Sequence, residues 1–207
     1  YFNAEGNRTR GWFPYGGKWY YFDGNGKKYT SGWLTYKGNK YYLKSDGTML
    51  ANEWLDGKYY FKSWGGMYKN EWGKSGDIWY WFNADGTKRT QKGWFLYDKN
   101  YYYLDKDGKM LTGWVYHDGN YYYMKSWGGM AHDEWILHDK NWYYFKSWGG
   151  MCVNDVGSYN GNYYYVGADG AVSTTTGWKK IKTSTQTIWY WATADGGKLL
   201  TNSWLDY

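Results

Sequence analysis

The fold class the sequence predicts is all-β: a solenoid of about nine to ten stacked β-hairpin repeats, each of about 21 residues. Three observations predict it. A tryptophan recurs as Trp12, Trp33, Trp54, Trp72, Trp94, Trp114 and Trp135, with Val156 in its place once, and then as Trp178 and Trp204. An aromatic run follows each one, as in "KWYYF" (18–22), "KYYL" (40–43), "IWYWF" (78–82), "YYYM" (121–124) and "IWYW" (188–191). The composition holds 30 glycines against one proline, with 26% aromatics, which suits hairpins joined by turns with φ > 0 and leaves little for amphipathic helices.

Each unit therefore reads as a Trp strand, a short polar turn, a Tyr-rich strand and a Gly turn. Alternate residues of a strand face opposite sides, so "WYY" or "YYY" puts large rings on both faces. A lone hairpin cannot bury them. Stacking does, because each unit is covered by its neighbours, and most of the aromatics are expected to serve packing.

The chain is expected to be a single repeat domain over 1–207. It opens on "YFNAEGNRTRGW", which reads as the tail of an earlier repeat, so a piece of a longer secreted protein is expected. No apolar run of about 18 residues is present, so no membrane insertion is expected. The one cysteine, Cys152, has no partner for an internal disulfide.

The segments "GWLTYKGNKYYLKSDGTMLANEW" (32–54) and "GWVYHDGNYYYMKSWGGMAHDEW" (113–135) resemble the choline-binding, or cell-wall-binding, repeat family, which is related to the glucan-binding repeats of glucansucrases. The resemblance covers essentially the whole chain. It implies a left-handed β-solenoid with a site between consecutive hairpins, walled by aromatics from two neighbours and often by a methionine. It also implies a secreted protein of the bacterial cell surface or cell wall.

The chemistry of such a cage is simple. A quaternary ammonium donates no hydrogen bond, so aromatic faces hold it best, at up to about 2 kcal/mol per desolvated contact. Methionine adds an adaptable apolar wall. Two residues after the turn glycine stand Met49, Met67, Met110, Met130 and Met151 in five units, and Arg8, Lys28, Lys88, Val172 and Lys198 in the others. The expected cages follow the methionines: Met49 with Trp54 and Tyr59, Met67 with Trp72 and Trp79, Met110 with Trp114 and Tyr121, and Met130 with Trp135 and Trp142. Trp33 and Tyr41 join them as ligand residues. Val156 replaces the tryptophan after Met151, which puts that cage in question.

In three units "KSWGGM" replaces the aspartate of the Gly turn by Trp64, Trp127 or Trp148. Aspartate is explained by turn chemistry. The added glycines, Gly66, Gly129 and Gly150, are read as compensation able to take φ > 0. The indoles either cover the adjoining hairpin or extend the cages into a platform for a sugar face.

Lys+Arg 25 against Asp+Glu 19 gives a net charge of +6, with the lysines scattered through the turns. That suits a solvated surface or an anionic wall polymer such as teichoic acid. Nucleic acid is not expected, since no nucleic-acid fold signature is present. Catalysis finds no support: His117, His132 and His138 fit no common metal spacing, "DKDG" (105–108) lacks the remaining calcium ligands, and no cofactor motif occurs. The expected function is a non-catalytic anchoring module for choline-decorated polymer. The alternatives are an α-glucan-binding module and a structural spacer, and no oligomeric state is implied.

Overall fold

A computed structural model describes residues 6–182 and 185–200. Trp204, the last repeat tryptophan, lies outside the described residues. Nine antiparallel hairpins follow one another, and no helix occurs among the described residues. They are β1 (Gly11–Tyr15) with β2 (Lys18–Phe22), β3 (Gly32–Tyr36) with β4 (Asn39–Leu43), β5 (Trp54–Leu55) with β6 (Tyr59–Tyr60), and β7 (Glu71–Ser75) with β8 (Ile78–Phe82). Next come β9 (Gly93–Tyr97) with β10 (Asn100–Leu104), β11 (Gly113–His117) with β12 (Asn120–Met124), and β13 (Glu134–His138) with β14 (Asn141–Phe145). The last two are β15 (Asp155–Tyr159) with β16 (Asn162–Val166), and β17 (Gly177–Lys182) with β18 (Thr187–Ala192).

The chain forms two compact units, one of residues 1–92 with 104–110 and one of 93–103 with 111–207. Within each, the same local rules repeat. Hairpin tips such as Lys37-Gly38 have both residues at positive φ (45° and 78°), which matches the twist of the flanking strands and tightens the loop to two residues. In the strands the repeat tryptophan faces an aromatic across the ladder, as Trp33 faces Tyr42 and Trp114 faces Tyr123.

The core is a row of residues that close the second strand of each hairpin: Leu43, Phe61, Phe82, Leu104, Met124, Phe145 and Val166 are fully buried. After each of them the chain turns on a glycine and returns. The returning residue bridges back to the core residue, as Met49 does to Leu43 and Met130 to Met124. The turn is the same in its aspartate and tryptophan forms: Gly47 N–H donates to the Lys44 carbonyl at 2.9 Å, and Gly65 N–H to the Lys62 carbonyl at 2.8 Å.

Candidate functional site

Aromatic boxes between consecutive hairpins

The returning residue also ties one hairpin to the one before it. Met49 N–H donates to the Trp19 carbonyl (2.8 Å), Met67 to Lys40 (2.9 Å), Met130 to Tyr101 (2.8 Å), Met151 to Tyr121 (2.7 Å) and Val172 to Trp142 (2.9 Å). Each methionine position thus lies beside the first aromatic position of the preceding hairpin's second strand.

The repeat tryptophan of that preceding hairpin meets the middle tyrosine of the next. Ring centroids lie 4.8 Å apart for Trp12 and Tyr41, 5.0 Å for Trp33 and Tyr59, 4.8 Å for Trp94 and Tyr122, and 4.9 Å for Trp114 and Tyr143. The planes are steeply inclined, at 74° for Trp94 and Tyr122. A third ring comes from the preceding hairpin: Tyr101 stands 6.3 Å from Trp94 at 85°, and Tyr121 stands 6.3 Å from Trp114 at 89°. A tryptophan with two rings steeply inclined to it makes the corner of a box. At the Trp135 junction, Trp135, Trp142, Tyr164 and Val172 line one cavity of about 780 Å³, together with Asp133 and Glu134.

This register regroups the residues expected from sequence. The backbone bond of Met49 to Trp19, and the contact of Trp12 with Tyr41, point to a grouping with Trp12, Trp19 and Tyr41 in place of the expected Trp54 and Tyr59. Met67 belongs with Trp33, Lys40 and Tyr59, Met130 with Trp94, Tyr101 and Tyr122, and Met151 with Trp114, Tyr121 and Tyr143. Met110 N–H donates to the Trp79 carbonyl (2.9 Å), which joins it to the hairpin of Trp72 and Trp79. The physical reason is that the chain after each Gly turn folds back under the preceding hairpin before it advances. Val156 does not lie at the Met151 junction but two junctions further on, where Leu199 is the returning residue. There Ile181, Ala192 and Leu199 are buried and Val156 and Tyr190 pack against them. Leu199, whose N–H donates to Tyr163 (2.7 Å), takes the methionine place, and not Lys198.

Sequence reasoning missed Trp12, Trp19, Trp94, Tyr101, Tyr122, Tyr143 and Tyr164 as box walls. The signal was present in the aromatic runs, but the offset of one hairpin is set by stacking. It also missed His117 and His138. His117 lies 5.8 Å from Trp94 and its Nδ1 is 3.1 Å from the Tyr103 hydroxyl, while His138 lies 5.8 Å from Trp114. Both histidines flank boxes. Among the described residues no group of three or more His, Cys, Asp and Glu could hold a metal.

The methionine side chains run on toward the next turn. A Cβ on Gly65 would overlap Met49, and one on Gly86, Gly149 or Gly170 would overlap Met67, Met130 or Met151. These glycines hold positive φ as well, 87° at Gly65 and 92° at the equivalent Gly128, so no other residue fits there readily.

Tryptophans of the Gly turns

Trp64, Trp127 and Trp148 stand edge-on to Tyr41, Tyr102 and Tyr122, at 5.9, 6.1 and 6.0 Å. Those three tyrosines are only 8–9% exposed, whereas the middle tyrosines Tyr59, Tyr80 and Tyr143, where the next hairpin ends in an aspartate turn, are half-buried. Burial pushes the phenol pKa of Tyr41, Tyr102 and Tyr122 up. The tryptophan thus caps a tyrosine of the previous hairpin.

The second glycine has a different cause from the one expected. Gly66, Gly129 and Gly150 do not have positive φ; a Cβ there would overlap the indole of Trp64, Trp127 or Trp148. The side chain is absent to admit the ring. In the aspartate turns the carboxylate does bond the backbone, as Asp46 accepts from Thr48 N–H at 2.9 Å and from the Thr48 hydroxyl at 2.7 Å.

Comparison with known proteins

The choline-binding repeat model matches residues 27–65, and the cell wall binding repeat model matches 11–28, 70–88, 92–110, 112–130 and 133–151. The choline-binding domain of CbpL from Streptococcus pneumoniae is 37% identical, with 80% of this chain and 97% of that chain covered and a TM-score of 0.56. Choline binding protein F from Streptococcus pneumoniae, solved in the presence of a peptidoglycan analogue (tetrasaccharide-pentapeptide), is 30% identical over 80% of this chain, with a TM-score of 0.56. This chain spans 58% of that protein's length. CbpF in complex with ipratropium is 28% identical over 84% of this chain and 62% of that one, with a TM-score of 0.59. A comparison with curated protein sequences finds no match. With its hairpin repeats, its inclined-ring boxes and these matches, the chain belongs to the choline-binding repeat family.

Proposed function

We propose that this chain is a wall-binding module that takes choline groups of a cell-wall polymer, such as teichoic acid, into its inter-hairpin boxes at the bacterial surface. The observation that carries the reading is the box of Trp94, Tyr101 and Tyr122, three inclined rings with Met130 beside them. Ring faces attract a cation without a hydrogen bond, and a trimethylammonium group fills an apolar corner. Ipratropium, found with CbpF, is itself a quaternary ammonium compound.

Three contacts of about 0.5–2 kcal/mol each, less the cost of ordering the ligand, set a single box near millimolar affinity. Repetition then provides the gain. Boxes at the Trp94, Trp114 and Trp135 junctions follow one another in the second unit, so a polymer bearing many cholines engages several at once. Trp64, Trp127 and Trp148, each about half exposed, would flank the polymer as ring platforms. Function here is binding; any catalysis of a parent protein would lie in another domain.

Calorimetric titration with choline, beside soluble dextran, tests this reading. Heat with choline at several equivalents per chain, and none with dextran, is expected. Heat with dextran alone would favour the glucan reading, and heat with neither would favour a spacer.

A further inference from the structure

We infer that Lys88 is a tethered ligand: its own ammonium occupies the box between Trp54 and Tyr80, closing that site to external choline and fastening two hairpins together. The inference rests on the reading of the boxes as cation sites.

The geometry is specific. Lys88 Nζ lies 5.2 Å from the Trp54 ring centroid and 5.3 Å from that of Tyr80. Those rings are 5.1 Å apart at 83°, the same inclined pair that walls the other boxes. Both distances fall within the about 6 Å reach of a cation–π contact. Lys88 is half-buried, and no carboxylate among the described residues stands within ion-pair distance of its ammonium. Its backbone keeps the family register, with its N–H donating to the Lys58 carbonyl at 2.7 Å.

A second observation separates it from Lys28 and four of the methionines at this position, though not from the short Val172, whose next turn glycine, Gly197, also meets only backbone. Lys28, Met49, Met67, Met130 and Met151 all run beside the glycine of the next turn. At Gly108 the nearest atoms are instead the backbone of Arg89 and Thr90. The Lys88 side chain has left that course and turned to the rings. Lys28 reaches one ring only: its Nζ lies 5.8 Å from the centroid of Tyr20, the counterpart of Tyr80, while it donates to the Asp46 carbonyl at 2.9 Å and is exposed. Lys88 differs in lying over two inclined rings of successive hairpins and in being half-buried there.

A lysine ammonium is the chemical relative of the proposed ligand, held on a tether at high effective concentration. A free choline would have to displace it and leave its charge half-buried. The site is then satisfied in the absence of polymer, whereas the methionine boxes await a cation.

The test compares wild type with Lys88→Ala, Lys88→Met and Lys88→Arg, by thermal melts without ligand and by choline calorimetry. Lys88→Ala is expected to melt about 2–4 °C lower, to bind one more choline equivalent than wild type, and to recover its melting temperature in choline beyond the rise seen for wild type. Lys88→Arg should match wild type in both readouts. Should Lys88→Ala fail to fold, Lys88→Met keeps the side-chain bulk and should still lower the ligand-free melting temperature.

Equal melting temperature and equal stoichiometry in Lys88→Ala, or in Lys88→Met where Lys88→Ala does not fold, would overturn the inference. Wild type binding no choline would instead refute the box reading itself. In that case a double-mutant cycle of Lys88→Met with Trp54→Leu, read by ligand-free melts, still reports the contact: non-additive shifts support it and additive ones overturn it.

Discussion

Trp148 stands edge-on to Tyr122, with ring centroids 6.0 Å apart and planes at 78°, and Tyr122 also meets Trp94 at 4.8 Å. One tyrosine thus contacts both a turn tryptophan and a repeat tryptophan. Tyr122 is 9% exposed and Trp148 is 51% exposed, so the indole spends half its surface as a cap and leaves half to solvent. The tryptophan of "KSWGGM" therefore has a packing role, and its free face is available to a polymer.

Removing the cap should cost a moderate amount. Trp148→Ala is expected to destabilise the chain by about 1–2 kcal/mol, less than full burial of an indole would give. It should also lower the raised pKa of the Tyr122 phenol, because burial causes that rise. Thermal melts and NMR titration of the Tyr122 ring check both. An unchanged phenol would show that the cap does not bury it.

Gly150→Ala tests the same contact from below. The backbone at Gly150 tolerates alanine, but the new Cβ overlaps the Trp148 indole. The ring must swing off Tyr122. A red shift of tryptophan fluorescence and a loss of stability close to that of Trp148→Ala are expected. Gly149→Ala should be worse, since it combines φ of 88° with overlap onto Met130. Equal and negligible effects in both variants would contradict this packing.

The fold was legible from period and composition because both are local properties. "KGNKYYL" encodes a two-residue turn and a strand in seven letters, and the structure returns Lys37-Gly38 at positive φ with Asn39–Leu43 as the strand. The candidate box residues were legible by type, since the inclined rings between hairpins come from the aromatic runs and the repeat tryptophans, with methionine backbones bonded beside them. Their grouping was not. Met49 stands five residues before Trp54 in the chain, yet its backbone bonds to Trp19. A return path of that kind depends on how hairpins stack, which no short window of sequence contains. The second glycine of "KSWGGM" misled for a related reason: its cause is an indole folding over it, not its own φ.

Acid should weaken one turn through Asp46. Its carboxyl pKa is lowered, first by the Thr48 hydroxyl and then by the Thr48 N–H. A carboxylate depressed in the folded state stabilises above its unfolded value, near about 3.9, and that stability is lost as pH falls through the folded value. Thr48→Val should raise the Asp46 pKa toward its ordinary value. The variant should be less stable than wild type at pH 7 and nearly equal to it well below pH 3. Carboxyl titration by NMR and melts at both pH values check this, and a constant gap at all pH values would contradict the sign.

Methionine and lysine should be exchangeable as open and closed states of a box. Met130→Lys, beside Trp94, Tyr101 and Tyr122, should remove one choline equivalent. Met130→Leu should keep the equivalent with weaker affinity, since an apolar wall remains. Calorimetric stoichiometry distinguishes them; loss of one equivalent in both, or in neither, would mean that the residue acts otherwise than as a wall.

If a cation is held between hairpins by rings of two successive repeats, a crystal structure of this chain with choline should show it there. Such a crystal is expected to hold a trimethylammonium group against Trp94, Tyr101 and Tyr122, another against Trp114, Tyr121 and Tyr143, and none between Trp54 and Tyr80. Choline lodged among Met130, Trp135 and Trp142 without Tyr122, or absent from every aromatic box, would contradict that placement.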